Sequence, residues 1–240
     1  MGQGYQIDLN DLRFKYDFQF DPVDETSYQH KVWPEGHVVA GESITLRDYQ
    51  VEIINKYLGT PHCLQEIATG AGKTLITAAL SNKVEKYGRS IVIVPNKDLV
   101  TQTYADYANL GLDVGVYYGD KKELGHTHTI CTWQSLNSIR KRYKEGESDL
   151  SLAEFADGVV CVIVDEVHQA KADVLKDLLT KEFANGPLRW GLTGTIPKAD
   201  HEKVSLQACL GEVTHRLAAS ELQEKEVLSQ CHVNVCLLYT

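Results

Sequence analysis

Apolar residues recur along the chain in two alternating patterns, short continuous runs and helical spacings. The continuous runs at residues 91–95 and 159–164 predict strands that are buried on both faces of a parallel sheet. The pattern predicts further strands at 114–118, 128–132 and 190–193, and helices at 44–58, 97–108, 134–141, 170–183, 202–210 and 217–225. This order predicts a three-layer α/β/α fold, with a mostly parallel sheet between helices.

The two ends of the chain differ from this alternation. Phe14, Tyr16, Phe18 and Phe20 alternate with polar residues, which predicts a strand with one aromatic face in a short N-terminal extension. Such a face can stack on nucleic-acid bases, but packing on the main domain is favoured because aromatic residues usually enter cores. At the other end, an apolar run at 231–238 predicts a strand, and we expect a second lobe to begin there.

A glycine-rich segment joins a short strand to a helix at residues 63–80. Gly70 and Gly72 allow the backbone to wrap around an anion at the positive end of the new helix. Lys73 supplies a positive charge for outer phosphates, and the Thr74 hydroxyl suits Mg²⁺. The segment departs from the general phosphate-loop pattern at Ile67, where a glycine is usual. It predicts a phosphate-binding loop, with an ordinary glycine-rich turn as the alternative.

A pair of acidic residues, Asp165 and Glu166, follows the strongest predicted strand. Ligands of open parallel sheets bind outside the carboxyl ends of the strands, so this pair should face the same crevice as the loop. There Asp165 can hold the Mg²⁺ that Thr74 also contacts, and Glu166 can orient and deprotonate an attacking water. The alternative is a solvated turn.

Composition limits where the protein can act. The chain has 240 residues, a formal net charge of −9 and six scattered cysteines, which we expect to be reduced in the cytoplasm, or in the host cytoplasm of a phage. We find no secretory signal and no apolar run long enough to span a membrane. Because the protein is acidic, any nucleic-acid binding must use a local patch. His126, His128 and Cys131 lack the spacing of a zinc site.

Six motifs occur in a fixed order between residues 43 and 218. They are Leu46-Arg47-Asp48-Tyr49-Gln50, Gly70-Ala71-Gly72-Lys73-Thr74, Val94-Pro95-Asn96 through Gln102, Thr132-Trp133-Gln134-Ser135, Asp165-Glu166-Val167-His168 and Thr193-Gly194-Thr195. Together they resemble the motifs of superfamily 2 helicases of the DExH type. The resemblance implies the first RecA-like lobe of such an enzyme, a P-loop NTPase domain at 43–218, after an accessory segment at 1–42 and before a linker and the first strand of a truncated second lobe at 219–240.

This resemblance also implies ATP and Mg²⁺ as cofactors and assigns residues to them. It implies that Gln50 binds the adenine edge with Arg47 packed nearby, and that the phosphates bind to Thr69, Gly70, Ala71, Gly72, Lys73 and Thr74. The implied chemical centre consists of Lys73, Asp165, Glu166 and His168. The implied coupling residues, which link ATP turnover to nucleic-acid movement, are Thr193, Gly194 and Thr195. For His168, a plain helix-start histidine is the alternative.

The resemblance further implies nucleic-acid contacts, made mainly to the backbone and therefore with little sequence preference. They are expected at Pro95, Asn96, Lys97, Gln102, Gly119, Thr132, Trp133, Gln134 and Ser135. Lys121 and Lys122 can touch phosphate or form a solvated turn.

Among these helicases the chain is most similar to the phage-encoded DNA helicases of the UvsW type. This similarity implies ATP-dependent DNA unwinding or branch migration in phage recombination, repair or replication, on branched, forked or single-stranded DNA and without a membrane. The arginine finger of such enzymes lies in the second RecA-like lobe, so we expect residues 1–240 alone to bind ATP weakly, to hydrolyse it poorly and not to unwind DNA. Two alternatives stay open: the translocation subunit of a restriction enzyme, and a nucleotide-binding module without motor activity. The motifs at 165–168 and 193–195 argue against a P-loop kinase.

Overall fold

The computed structural model describes residues 17–169, 172–184, 186–197 and 199–229. Within them the strands are β1 His62–Ile67, β2 Arg89–Val94, β3 Val114–Tyr118, β4 Lys121–Lys122, β5 His128–Thr132, β6 Val159–Val164, β7 Leu188–Thr193 and β8 Val213–Leu217. The α-helices are α1 Asp48–Leu58, α2 Lys73–Val84, α3 Lys97–Asn109, α4 Trp133–Lys144, α5 Leu152–Phe155, α6 Ala172–Asp177, α7 Asp200–Leu210 and α8 Ala219–Glu224. A 3-10 turn at Val167–Gln169 follows β6, and a π-helical turn at Leu178–Glu182 follows α6.

These strands form one sheet in the order β4-β3-β5-β2-β6-β7-β1-β8. All neighbours are parallel except β3 and β4, which pair antiparallel. Apolar side chains of α1, α2, α3 and α8 pack in a cluster on one face, and those of α4, α5, α6 and α7 pack on the other. The predicted three-layer α/β fold with a mostly parallel sheet is therefore confirmed.

Two edge strands were missing from the sequence-based prediction. In β8 the side chains of Thr214, His215 and Arg216 interrupt the apolar pattern, because an edge strand buries only part of its surface. The two residues of β4 are Lys121 and Lys122, which form a short edge strand and not a simple turn. The Lys122 ammonium lies 4.2 Å from the centre of the Tyr117 ring.

Three predicted helices also differ in the structure, and the middle one of them, predicted at 170–183, is α6 followed by the π-helical turn Leu178–Glu182. The first begins at Asp48 and not at residue 44, and the last begins at Ala219 because Leu217 belongs to β8.

The N-terminal extension packs on the domain without forming the predicted strand. Residues 17–20 have no strand pairing, so the strand prediction was wrong for the described part of that segment; Phe14, Tyr16 and the run at 231–238 lie outside the described residues. The Phe20 ring nevertheless lies 5.4 Å from the Tyr87 ring and 6.4 Å from the Trp190 ring, between ring centres. The aromatic alternation therefore serves packing, as favoured above.

Polar contacts fix the rest of this extension. The Asn55 side chain accepts from the Val23 amide at 2.8 Å and donates to its carbonyl at 2.9 Å. The buried Tyr28 hydroxyl donates to the Ala79 carbonyl on α2 at 3.2 Å. From residue 17 onward, the β pairing of the extension is one antiparallel bridge between Val32 and Ser43.

Three features bear on the compositional expectations. No helix in the described part of the chain is long and apolar enough to cross a membrane. The cysteines at 63, 131, 161 and 209 are free and buried. Within the same described ranges, no group of three or more histidine, cysteine, aspartate or glutamate side chains is arranged to hold a metal ion.

Candidate nucleotide site and nucleic-acid edge

The loop between β1 and α2 has the geometry of an anion cradle. Gly72 precedes α2 with φ +78°, in the left-handed region that favours glycine. A Cβ atom at this position would lie 2.6 Å from Nε2 of Gln50, so a larger residue would also clash. The first amides of α2 are left free to bind an anion, as at other helix N-termini.

Gln50 ties this loop to the start of α1. Its Nε2 donates to the Ala71 carbonyl at 3.0 Å, and its Oε1 accepts from the Arg47 amide at 3.0 Å. The side chain is 4 % exposed, so both ends of the amide are engaged inside the protein. Gln50 therefore holds Arg47 beside the phosphate loop, and its reading of an adenine edge stays a prediction. The Arg47 guanidinium is exposed and donates to the Tyr49 hydroxyl at 2.9 Å.

Lys73 and Glu166 meet in the crevice. Lys73 Nζ lies 2.7 Å from Glu166 Oε1 and 3.4 Å from the Ile67 carbonyl oxygen. Both side chains are largely buried, at 8 % and 15 % exposure, so this ion pair is screened less than a surface pair. Because Ile67 contributes a main-chain carbonyl, the absence of the usual glycine at this position does not disturb the contact.

Asp165 lies at the end of β6 and is buried. Its Oδ1 accepts from the Glu166 amide at 2.8 Å. Burial raises the pKa of the Asp165 carboxyl to about 6, with the Lys73 charge opposing the rise and the Glu166 charge adding to it. A buried carboxylate beside a second carboxylate suits a bound divalent cation.

The backbone of Glu166 is strained. Its φ is +49°, in a region that non-glycine residues rarely adopt and that is concentrated at functional sites. This conformation turns the Glu166 carboxylate toward Lys73, away from the direction of β6.

The Thr74 hydroxyl makes a different contact from the expected one. It donates to the Asp106 carboxylate on α3, where burial raises the pKa of Asp106. The predicted sharing of a cation between Thr74 and Asp165 requires this hydrogen bond to be exchanged. The sequence analysis did not identify Asp106, because one carboxylate within an amphipathic helix has no distinguishing pattern.

Glu166 also contacts the predicted coupling residues. Its Oε2 accepts from the Gly194 amide at 3.4 Å and lies 3.4 Å from His168 Nδ1. His168 Nδ1 is 2.8 Å from the Thr193 hydroxyl, which itself donates to the Thr195 carbonyl at 2.8 Å. The Thr193 oxygen therefore accepts from His168, and Nδ1 carries the hydrogen. One carboxylate thus links Lys73 to the end of β7.

Glu66 is a further residue of the site, and the sequence analysis did not identify it. Its Oε1 accepts from the Ile196 amide at 3.2 Å, and its Oε2 lies 3.3 Å from an Arg216 guanidinium nitrogen. It joins the end of β1 to the segment after Thr195 and to β8. The available signal was an acidic residue near the carboxyl end of the strand that leads into the loop.

The predicted nucleic-acid residues lie along one edge of the sheet. Because β3, β5 and β2 are neighbours and parallel, their carboxyl ends bring Gly119, Thr132 and Pro95 to the same edge. At that edge the Gln134 amide donates to the Pro95 carbonyl at 3.4 Å, and the side chain of Asn96 caps α3.

Not all of these residues offer a free polar group. The Thr132 hydroxyl accepts from the Ser135 amide at 3.3 Å and so caps α4, and the two hydroxyls bond to each other at 2.9 Å; both residues are only 7 % exposed. Nucleic-acid contacts of these two hydroxyls would require these hydrogen bonds to be exchanged, and they stay a prediction. The exposed members of the set are Asn96, Lys97, Gln102, Gly119 and Gln134, and Trp133 is half-buried.

Comparison with known proteins gives the family. The model for "Type III restriction enzyme, res subunit" matches residues 43–198. The chain belongs to this family. The matched range contains all six motifs and every residue that forms the crevice described above.

The curated proteins that are similar to this chain include helicases and translocases. The chain is 29 % identical over 188 residues to the DNA 3'-5' translocase XPB2 of Sulfurisphaera tokodaii, covering 78 % of this chain and 39 % of that protein. It is 23 % identical over 197 residues to putative helicase 22 of a Sulfolobus islandicus filamentous virus, covering 78 % and 34 %. The chain thus spans well under half the length of these relatives.

Solved structures share the fold. The UvsW helicase from bacteriophage T4 matches with a TM-score of 0.62 at 17 % identity, over 82 % of this chain and 69 % of that one. The Hef helicase domain from Pyrococcus furiosus matches with a TM-score of 0.56 at 22 % identity, over 74 % and 39 %. With the family match, these likenesses identify the chain as the first RecA-like lobe of a superfamily 2 helicase and confirm that prediction.

Proposed function

We propose that this chain is the ATP-binding lobe of a DNA-dependent motor, a helicase or translocase driven by hydrolysis of Mg·ATP. The observation that carries the proposal is the 2.7 Å contact between Lys73 of the phosphate loop and Glu166 of the acidic pair. This contact joins a phosphate-binding group and a candidate general base in one crevice. The further contacts of Glu166 with Gly194 and His168 connect that crevice to the predicted coupling residues.

The residues present suit both cofactors. The cradle is compatible with a triphosphate because the left-handed Gly72 leads directly into the N-terminus of α2, where main-chain amides can bind phosphate oxygens. The buried Asp165 carboxylate, with its raised pKa, suits a divalent cation that would favour its ionised form. Lys73, Thr74 and the loop amides would hold the nucleotide, and Asp165 and Thr74 the cation. ATP would supply the phosphoanhydride bond whose hydrolysis drives the motor.

Glu166 and Lys73 would exchange partners during the cycle. Lys73 is neutralised by Glu166, so it must leave this carboxylate to neutralise a phosphate. Once released, Glu166 can orient a water and accept its proton. The hydrogen bond between His168 Nδ1 and the Thr193 hydroxyl would then make the position of Thr193 depend on that of Glu166. This dependence is the coupling role that we propose for the segment 193–195.

DNA is the proposed partner of the exposed edge of the sheet. The curated relatives are named as a DNA translocase and a helicase, and the type ISP restriction-modification enzyme LlaGI, a structural neighbour with a TM-score of 0.54, is described in complex with a DNA substrate mimic. Amides and side chains at Asn96, Lys97, Gln102 and Gly119 are exposed for backbone contacts. Because Lys97 is the one cationic side chain among these four residues, they release few counterions, and the binding that they provide should weaken only modestly with salt.

The narrower proposal is remodelling of branched or forked DNA in phage recombination, repair or replication. The fold shared with the UvsW helicase supports it, together with a viral helicase among the curated relatives. We further propose the division into an accessory segment at 1–42, the motor lobe at 43–218, and a linker leading to a second lobe from 219. The second lobe would supply the arginine finger.

Measuring nucleotide binding by this chain tests the proposed phosphate loop. We expect calorimetry to detect weak Mg·ATP binding to the wild-type chain and little binding to Lys73→Ala. Lys83→Ala, on the same helix but in its last turn, is the matched control and should bind as the wild type does. Equal affinities for wild type and Lys73→Ala would contradict the proposed phosphate loop. Joined to a second lobe, the protein should show ATPase activity that DNA stimulates, and an ATPase indifferent to DNA would contradict the motor proposal.

A restriction-enzyme translocation subunit is the second candidate, favoured by the name of the matching family. The two functions differ in what happens to the duplex. A translocase displaces a third strand from a triplex without separating the duplex, whereas a helicase releases a labelled strand from a fork. Triplex displacement without strand release from forks would favour the restriction-type motor.

A further inference from the structure

A short segment after α8 lies against the proposed nucleotide site. Residues 225–228, here called the strap, follow α8 and are turned back by Glu226, whose φ is +57°. The amides of Val227 and Leu228 both donate to the Leu222 carbonyl, at 2.8 and 3.2 Å. Leu222 is fully buried in the core beneath α8, so the strap is anchored to the domain and is not a loose tail.

The strap contacts both parts of the nucleotide site. Lys225 forms an ion pair with Asp48, the first residue of α1. At the other end, a Cβ atom on Gly70 would lie 2.6 Å from Cδ2 of Leu228, so the leucine side chain lies directly against the phosphate loop. Because the ion pair is largely exposed, it contributes little to holding the strap, and the apolar contacts of Leu222 and Leu228 hold it.

Between the strap and α1 there is a cleft of about 540 Å³. Leu46, Tyr49 and Val227 contribute apolar atoms, whereas Glu25, Arg47, Asp48 and Lys225 place charged groups around them. The cleft is open to solvent, and its volume lies in the range of small-molecule sites. Gln50 connects the same segment to Ala71, so the cleft adjoins the phosphate loop.

We infer that the strap completes the nucleobase subsite, with Val227 as an apolar wall against one face of the base and Lys225 at its mouth. This inference rests on the proposed binding of a nucleoside triphosphate to the phosphate loop. A flat face of a purine can pack on the half-buried Val227, with Leu46 and Tyr49 buried behind the surface of the cleft. Gln50 uses one donor and one acceptor of its amide on Ala71 and Arg47, and the strap adds Val227 and Lys225 to the same site.

If the strap forms a wall of the base site, filling the cleft should weaken the binding of the base and leave the binding of the phosphates unchanged. Val227→Trp should weaken ATP binding at least about tenfold, since the indole occupies the place of the base. Its affinity for inorganic tripolyphosphate, measured by calorimetry with the whole chain and Mg²⁺, should stay within about twofold of the wild type. Val204→Trp, at a valine of α7 that is 62 % exposed, is the matched control and should change neither affinity.

A second measurement needs no substitution. The wild-type chain is irradiated with 8-azido-ATP, and the labelled peptides are identified by mass spectrometry. We expect adducts in the peptides that carry residues 47–49 and 225–228, protected by excess ATP but much less by tripolyphosphate at equal occupancy. Adducts confined to other peptides would overturn the inference.

The outcomes separate this inference from the proposed function. If the wild type binds tripolyphosphate, Lys73→Ala does not, and Val227→Trp binds ATP normally, only the role of the strap is rejected. If Val227→Trp loses ATP and tripolyphosphate equally while keeping its circular-dichroism spectrum, the strap supports the phosphate loop and is not a base wall. If the wild type binds neither ligand, the phosphate-loop proposal fails, and the inference fails with it.

Discussion

Replacing Asp165 by asparagine should stabilise the protein at neutral and alkaline pH. The Asp165 carboxyl is buried, and its pKa is about 6 in the folded protein, compared with 3.8 for an ordinary aspartate. A pKa raised by this amount means that the ionised carboxylate costs the folded state about 3 kcal/mol, at ~1.4 kcal/mol for each tenfold change. Asparagine is nearly isosteric, stays uncharged, and can still accept from the Glu166 amide through its oxygen.

The sign of the effect follows from proton binding. Below about pH 4 the carboxyl is protonated in both folded and unfolded chains, so its ionisation costs no stability. Between about pH 4 and 6 the unfolded chain loses its proton first, and wild-type stability falls; above about pH 6 the full cost is present. Asp165→Asn should therefore match the wild type to within about 1 kcal/mol at pH 4 and exceed it by about 3 kcal/mol at pH 8.

Urea unfolding at the two pH values measures this difference, and at pH 8 the melting temperature should rise by roughly 6–12 °C for a chain of this size. Asp149→Asn, at an exposed aspartate, is the control and should show no comparable gain. Mg²⁺ with nucleotide should stabilise the wild type more than the variant, because the variant lacks the carboxylate that would hold the cation. An equal stability difference at pH 4 and pH 8, or a variant that is less stable at pH 8, would refute the reasoning.

Three further predictions concern Glu166, the coupling residues and the extension. In the protein that includes its second lobe, Glu166→Gln should lower ATP turnover by roughly 10²–10⁴ and leave ATP binding intact, as separate turnover and binding assays can show; equal loss of both would mean that Glu166 is structural. Thr193→Val removes the acceptor for His168, so we expect DNA to stimulate the ATPase much less while the basal rate changes little; unchanged stimulation in a DNA-titrated ATPase assay would exclude a coupling role. Phe20→Ala should cost about 1–3 kcal/mol in urea unfolding, because its ring packs on Tyr87 and Trp190, whereas Tyr143→Ala, at a tyrosine that is 51 % exposed, should cost much less; equal losses would place the extension outside the folded unit.

The central strands were predictable because both of their faces are buried. For β3 and β5 the predicted and observed bounds coincide, and β6 matches its apolar run. Edge strands differ, since β8 is covered on one side only and mixes polar with apolar residues. At Phe18 and Phe20 the aromatic alternation predicted a strand that is not formed, because these rings pack against Tyr87 and Trp190 without strand pairing.

In the candidate site, the local motifs were predictable and the partners of their side chains were not. The loop at Gly72 and Lys73 and the acidic pair at Asp165 and Glu166 were identified from spacing and from the ends of predicted strands. The contacts between Thr74 and Asp106, and between Gln50 and Ala71, depend on how α1 and α3 pack beside α2. No pattern within one segment carries that information.

The sequence by itself determined the order of the central strands and the longer helices, the positions of the proposed phosphate loop and the acidic pair, and the expectation that both face one crevice. These features follow from backbone propensity, hydrophobic period and the geometry of parallel sheets, which act over short stretches of chain. Only the tertiary structure decided that Glu166 pairs with Lys73, that the Thr132 hydroxyl bonds to the Ser135 hydroxyl, and that Leu228 lies against Gly70. Such choices are made between groups far apart in the chain, where competing hydrogen bonds and close packing select one partner among several that are chemically equivalent.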